Sequence, residues 1–137
     1  MLEEAMRRTG ASRPVFVGDR LDTDIVGAAN AGIDSLMVFT GAHGKADLVG
    51  AGEGERPTHI GADVRALLEP PRTVDVDGGR ATCRGQVAVV DGGSVRLDTR
   101  PDTSERQLDA LWAIARLAWA DPALDCADAL AGLELVR

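Results

Sequence analysis

Pro14-Val15-Phe16-Val17-Gly18-Asp19-Arg20-Leu21-Asp22-Thr23-Asp24-Ile25 changes character twice within a dozen residues. Val15 to Val17 is a short apolar run of strand type that breaks at Gly18. Three carboxylates follow within six residues, Asp19, Asp22 and Asp24, and the small-residue run Ile25-Val26-Gly27-Ala28-Ala29 then reads as a helix. Strand, acidic loop and helix in that order put polar groups at the carboxyl end of a parallel strand, where open α/β sheets hold their ligands. Carboxylates this crowded repel one another unless a positive charge sits between them. Hard oxygen donors suit Mg²⁺, which binds through one or two carboxylates, waters and a substrate phosphate.

Working outward, Ile33 to Phe39 is a second buried strand, expected to lie parallel to the first through a right-handed crossover. Asp22 or Thr23 is a predicted cap for the intervening helix, which ends at Ala31-Gly32. Thr40-Gly41-Ala42-His43-Gly44 is a loop at the same carboxyl edge, placed to touch a substrate or a cap domain. Upstream, Leu2, Ala5, Met6 and Thr9 fall at helical spacing before Gly10, and Ala11 to Pro14 turn the chain into the first strand. A start inside a helix, at Met1, suggests that upstream sequence belongs to the protein. Downstream, Ala46–Val49 and Asp63–Leu68 read as short helices and Thr58–Ile60 as a short strand. Pro70-Pro71 marks a boundary, which gives an expected division into 1–69 and 70–137.

The second part has another texture. Thr73–Asp77, Ala81–Val90 and Ser94–Asp98 read as strands, with Gly78-Gly79 and Gly92-Gly93 as turns, an antiparallel meander. Ser104 and Gln107 have capping-box spacing. They open a long helix with Leu108, Leu111, Trp112, Ala115 and Trp119 on one stripe, expected to be core, ending near Asp121-Pro122; a helical tail, Ala123 to Leu130, follows.

With 15 Lys and Arg against 22 Asp and Glu, the net charge of −7 argues against nucleic-acid and anionic-membrane partners. Cys83 and Cys126 stand far apart with no ligand spacing, which reads as two reduced structural thiols. The N-terminus has no apolar signal region, and a cytoplasmic location is the expectation.

Val17-Gly18-Asp19-Arg20-Leu21-Asp22-Thr23-Asp24-Ile25, then Gly27-Ala28, Ala31-Gly32-Ile33 and Phe39-Thr40-Gly41, resemble the last motif of the haloacid dehalogenase-like (HAD) phosphatases. The resemblance is to the branch of phosphoglycolate, para-nitrophenyl phosphate, pyridoxal phosphate and sugar phosphatases. It implies an α/β fold, the C-terminal part of a Rossmann-like HAD core, followed here by a small α+β module. It implies Mg²⁺ held by Asp19, with Asp24 as a second ligand or as a partner that orients the first. Arg20, Thr40, Gly41 and His43 become candidates for substrate binding. In the family an Asp of an Asp-x-Asp motif attacks phosphorus, forming an aspartyl-phosphate that water cleaves, and a Lys precedes the acidic motif. Here Asp75-Val76-Asp77 has the right spelling in the wrong place, and Lys45, the sole lysine, follows the motif and reads as an exposed charge. Some family members carry an appended C-terminal region likened to part of an acetyltransferase fold, but no acetyl-CoA site is legible in 70–137.

The expected function is thus part of a phosphatase for a small phosphomonoester such as glycerol phosphate, phosphoglycolate or a sugar phosphate, inactive alone for want of a nucleophile. The rival is a non-catalytic assembly module, paired with the missing N-terminal half or with a second copy through the open edge of its first strand. A nucleotide-binding βαβ unit is disfavoured, because an acidic loop has the wrong sign for a pyrophosphate.

Overall fold

The computed structural model describes residues 2–10 and 12–137. Met1, the expected internal start, and Ala11, in the predicted turn, lie outside them, as do the side chains of Leu2 and Met6 from the predicted apolar spacing. Two sheets form. Helix α1 (Leu2–Thr9) ends at Gly10, whose positive φ of 66° closes it, and leads to β1 (Val15–Gly18). A π-helical turn, Leu21–Ile25, runs directly into α2 (Val26–Asn30), and β2 (Asp34–Val38) returns parallel to β1. Helix α3 (Lys45–Val49) precedes β3 (His59–Gly61), parallel to β2, so the order is β1-β2-β3. A 3₁₀ segment, Val64–Leu68, is capped by Asp63, which accepts from Arg65 N–H at 2.9 Å.

The second sheet is antiparallel and runs β4 (Asp75–Asp77), β5 (Arg80–Cys83), β6 (Gln86–Asp91), β7 (Ser94–Leu97). The predicted strand 81–90 is therefore two strands. Arg84 and Gly85 both take positive φ, 47° and 85°, and make a two-residue hairpin turn. An arginine with positive φ gives no sequence cue, so Gly85 alone was too weak a signal.

Helix α4 (Ser104–Ala120) lies across β5 and β6 and meets α3 on its other side. Its cap is Thr103, one residue earlier than predicted: the Thr103 hydroxyl accepts from Arg106 N–H at 3.2 Å. Gln107, free of the predicted capping role, donates to Pro101 O at 3.2 Å and accepts from Leu135 N–H at 2.7 Å. Residues 107–115 of α4 are all buried, so the helix has a sheath of neighbours instead of one apolar stripe. The tail is helical only over α5 (Ala127–Ala131), because Asp125 bridges to Ser94 and holds the preceding residues extended.

A hydrophobic cluster runs from Leu21, Ile25, Met37, Leu48 and Ile60 into Leu108, Leu111, Trp112 and Ile114. Trp112 is fully buried, as expected, and Trp119 packs edge-on to it at 5.5 Å, donating its indole N–H to Leu48 O at 3.0 Å. Arg72 is the polar counterpart of this seam. Its buried guanidinium donates to Asp109 at 2.7 Å, to Ile60 O at 3.2 Å and to Glu105. Burying such a charge is costly unless it is paired and hydrogen-bonded in this way. Cys83 and Cys126 are both buried free thiols.

Candidate metal and phosphate site

At the carboxyl end of β1 the chain turns so that Asp24 looks back along its own loop. The π turn is recorded in the bond from Ile25 N–H to Arg20 O at 3.1 Å, five residues apart. Asp24 Oδ2 accepts from the backbone N–H groups of Asp19 and Arg20, each at 3.2 Å. Asp22 and Thr23 lie inside the turn and make no capping bond, contrary to the predicted cap; Asp24 holds the loop instead. Gly18 is required by this arrangement, since a Cβ there would lie 2.3 Å from Asp24 Cβ.

Asp19 is half-buried, and its Oδ2 accepts from Ala42 N–H at 3.2 Å across the sheet edge. Here too a glycine makes room: a Cβ on Gly41 would sit 1.9 Å from Asp19 Oδ2. The loops after β1 and β2 are latched twice more. His43 N–H donates to Asp19 O at 3.2 Å, and His43 Nδ1 accepts from Leu21 N–H at 2.8 Å. A ring nitrogen that accepts carries no proton, so the proton of neutral His43 sits on Nε2. Arg20 makes a two-pronged contact with Asp22, at 3.1 and 2.8 Å. The guanidinium bond holds the exposed Asp22 carboxyl below its ordinary range. Thr40 is exposed at the end of β2.

Asp19, Asp24, Gly41 and His43 are thus gathered into one loop pair, while Arg20 is engaged with Asp22 and faces solvent. Lys45, read from sequence as an exposed charge, is half-buried and donates to Leu133 O at 2.6 Å. No local signal reveals that contact or the His43 latch, because both depend on partners distant in sequence. Among the described residues no group of three or more His, Cys, Asp or Glu side chains is arranged to hold a metal. The donors present, two carboxylates on a loop with fixed main chain, suit a hard cation in kind and leave its other positions to water, phosphate or further protein oxygens. Asp75 and Asp77, by contrast, lie on the exposed antiparallel strand β4.

The site thus sits on a parallel β-α-β-α-β layer, an α/β core with a paired acidic loop at its carboxyl edge. Residues 1–67 match the HAD-hydrolase-like family and are similar to a C-terminal portion of the HAD core. The chain is 36% identical over 130 residues to D-glycerol 3-phosphate phosphatase of Mycobacterium tuberculosis, covering 91% of this chain and 36% of that protein. It is 41% identical over 66 residues to phosphoglycolate phosphatase 2 of Arabidopsis thaliana, covering 46% of this chain and 22% of that protein. The crystal structure of the mycobacterial glycerol phosphate phosphatase in complex with calcium matches with a TM-score of 0.65 at 33% identity, over 96% of this chain and 40% of that one. The same enzyme in complex with magnesium matches equally well, over 98% of this chain. The present chain therefore spans between a third and two fifths of the mycobacterial relative, and the likeness extends through the antiparallel sheet and α4.

Proposed function

We propose that this chain supplies the metal-binding loop and adjoining sheet edge of a Mg²⁺-dependent phosphatase for a small phosphomonoester, glycerol phosphate, phosphoglycolate or a sugar phosphate. The observation that carries the reading is the pair of carboxylates, Asp19 and Asp24, on one loop with its backbone pinned and two glycines clearing the space around them. Asp19 offers a carboxylate oxygen to the cation. Asp24 fixes the main chain that aims Asp19, an outer-shell role. Mg²⁺, when bound, would offset phosphate charge and polarise a phosphoryl oxygen. Thr40, Gly41 and His43 line the same edge, where the His43 Nε2–H is a donor for a phosphate oxygen, and Arg20 reaches the edge if it leaves Asp22.

Apart from Asp22-Thr23-Asp24, which lies inside the acidic loop itself, no Asp-x-Asp follows a parallel strand among the described residues. The chain on its own binds Mg²⁺ and releases no phosphate; chemistry requires an Asp nucleophile from the rest of a HAD core. Titration calorimetry with Mg²⁺ tests the first half. Asp19→Asn abolishes binding, and Asp24→Ala weakens it by about 10–100-fold through the loosened loop. Phosphate release by the purified chain that disappears in Asp19→Asn would overturn the second half.

The assembly reading also has an observation in its favour. β1 is an edge strand of the parallel sheet, Val15 is 40% exposed, and Leu67 and Leu68 are 51% and 87% exposed beside a groove formed with Leu36, Pro70 and Pro71. Such an edge favours pairing with another chain segment, from the missing half of the core or from a second copy. A monodisperse monomer in size-exclusion chromatography counts against the second copy.

A further inference from the structure

The loop that meets Asp19 is held from behind by the far end of the chain. Lys45 Nζ donates to Leu133 O at 2.6 Å, and Lys45 N–H, the first of α3, donates to Arg137 O. Gly44 has that same carbonyl against it: a Cβ would lie 2.6 Å from Arg137 O. The tail is itself anchored. Leu133 and Val136 are buried, and Leu135 N–H donates to Gln107 Oε1 at 2.7 Å. On the other side of Lys45 stand Gly44, then His43 and Ala42, whose N–H groups donate to Asp19 O and Oδ2. A continuous series of hydrogen bonds and adjacent residues therefore joins α4, the tail, Lys45 and Asp19.

We propose that the C-terminal tail sets the geometry of the Asp19 site, with Lys45 as a positioning residue that transmits the tail's placement to the loop Thr40–Gly44. The physical reason is the low cost of moving that loop otherwise. It contains two glycines and is tied to the sheet edge mainly by the three bonds of Ala42, His43 N–H and His43 Nδ1. An ammonium engaged by a main-chain carbonyl, plus a second carbonyl on the amide of the same residue, removes the freedom those glycines give. The antiparallel region thereby acts on the acidic loop without touching a ligand. The metal arm of this proposal rests on the reading of Asp19 as a Mg²⁺ ligand; the loop arm does not.

The test compares the wild-type chain with Lys45→Met, Lys45→Arg and Gln107→Leu, the last removing the tail's anchor far from the loop. Amide hydrogen exchange at Ala42 and His43 is read by NMR, with Mg²⁺ affinity by calorimetry and the thermal midpoint as a control. Lys45→Met is expected to speed exchange at Ala42 and His43 by about tenfold and weaken Mg²⁺ binding several-fold. Lys45→Arg restores part of both, and Gln107→Leu moves both in the same direction by less. A merely structural lysine would lower the midpoint while leaving exchange at Ala42 in step with that of β2, and this overturns the proposal. Should Lys45→Met not fold, Gln107→Leu and Lys45→Arg decide on the same exchange readout. A wild-type chain that binds no Mg²⁺ overturns the metal-site reading, and the exchange result then judges the tail's role by itself.

Discussion

Leu111, Trp112 and Ile114 on α4 have no exposed surface, whereas Val15 on β1 keeps 40% of its surface in solvent and Leu68 keeps 87%. The antiparallel sheet has a helix laid over it that is itself covered by α3, so apolar residues on several faces of that helix are satisfied. The parallel sheet is covered on the Met37 and Ile60 face, which joins the central cluster. Its opposite face, with Val15, Leu36 and His59, lines a groove with the 3₁₀ segment and the proline turn. The polar elements run the other way: the site loops lie on the less enclosed sheet, and the loop after β2 leads into Lys45, whose bonds reach the C-terminal tail. A sheet with one open groove can thus carry loops held by several hydrogen bonds, with a second region adding to the bracing.

The seam between the regions is the place to break this contrast. Arg72→Met leaves Asp109 buried with Arg84 at 3.9 Å as its nearest remaining cation, and is expected to cost about 3–5 kcal/mol in urea unfolding. Arg72→Met combined with Asp109→Leu should recover much of that loss, because no unpaired charge remains. A smaller effect is expected at Cys83, whose thiol burial pushes up to about 11. Since the folded state holds that proton more tightly than the unfolded chain does, its contribution is intact below the ordinary thiol value of 9.0. It is lost as pH climbs from there toward 11. Thermal midpoints measured from pH 8 to pH 11 should fall more steeply for the wild type than for Cys83→Ala. Thr103→Ala, which removes the α4 cap, should cost about 1 kcal/mol. Leu68→Asp, at an exposed position next to the groove residue Leu67, should change stability by less than about 0.5 kcal/mol. It should also abolish any self-association seen by sedimentation, and a larger destabilisation would show the parallel region to be less open than its exposure implies.

Much of this was legible because it is local. The apolar run before Gly18, the spacing of Asp19 and Asp24 and the second run to Phe39 carry the parallel layer in short-range pattern. Gly78, Gly92 and Gly93 mark their turns because only glycine takes those positive φ values freely. Where two neighbouring residues could do the same task, as Thr103 and Ser104 could both cap α4, pattern alone missed by one. The π turn was not legible, since its cause is Asp24 bonding backward to the N–H groups of 19 and 20. Lys45 was misread for the plainest reason: its partner Leu133 is 88 residues away. In the same way, nothing near Arg72 foretells that its acceptors are Asp109 and Glu105 on α4.

That span of 88 residues between Lys45 and the Leu133 carbonyl also sets an order of events during synthesis. Translation at about 5–20 residues per second leaves Lys45 without its acceptor for on the order of 4–18 s after it is made. The strands β1 to β3 and the Asp24 turn are complete on the ribosome long before then. The loop facing Asp19 therefore receives its last restraint only when the tail emerges, and a nascent chain stalled after α4 would display the acidic loop before the fastening that holds its partner loop in place.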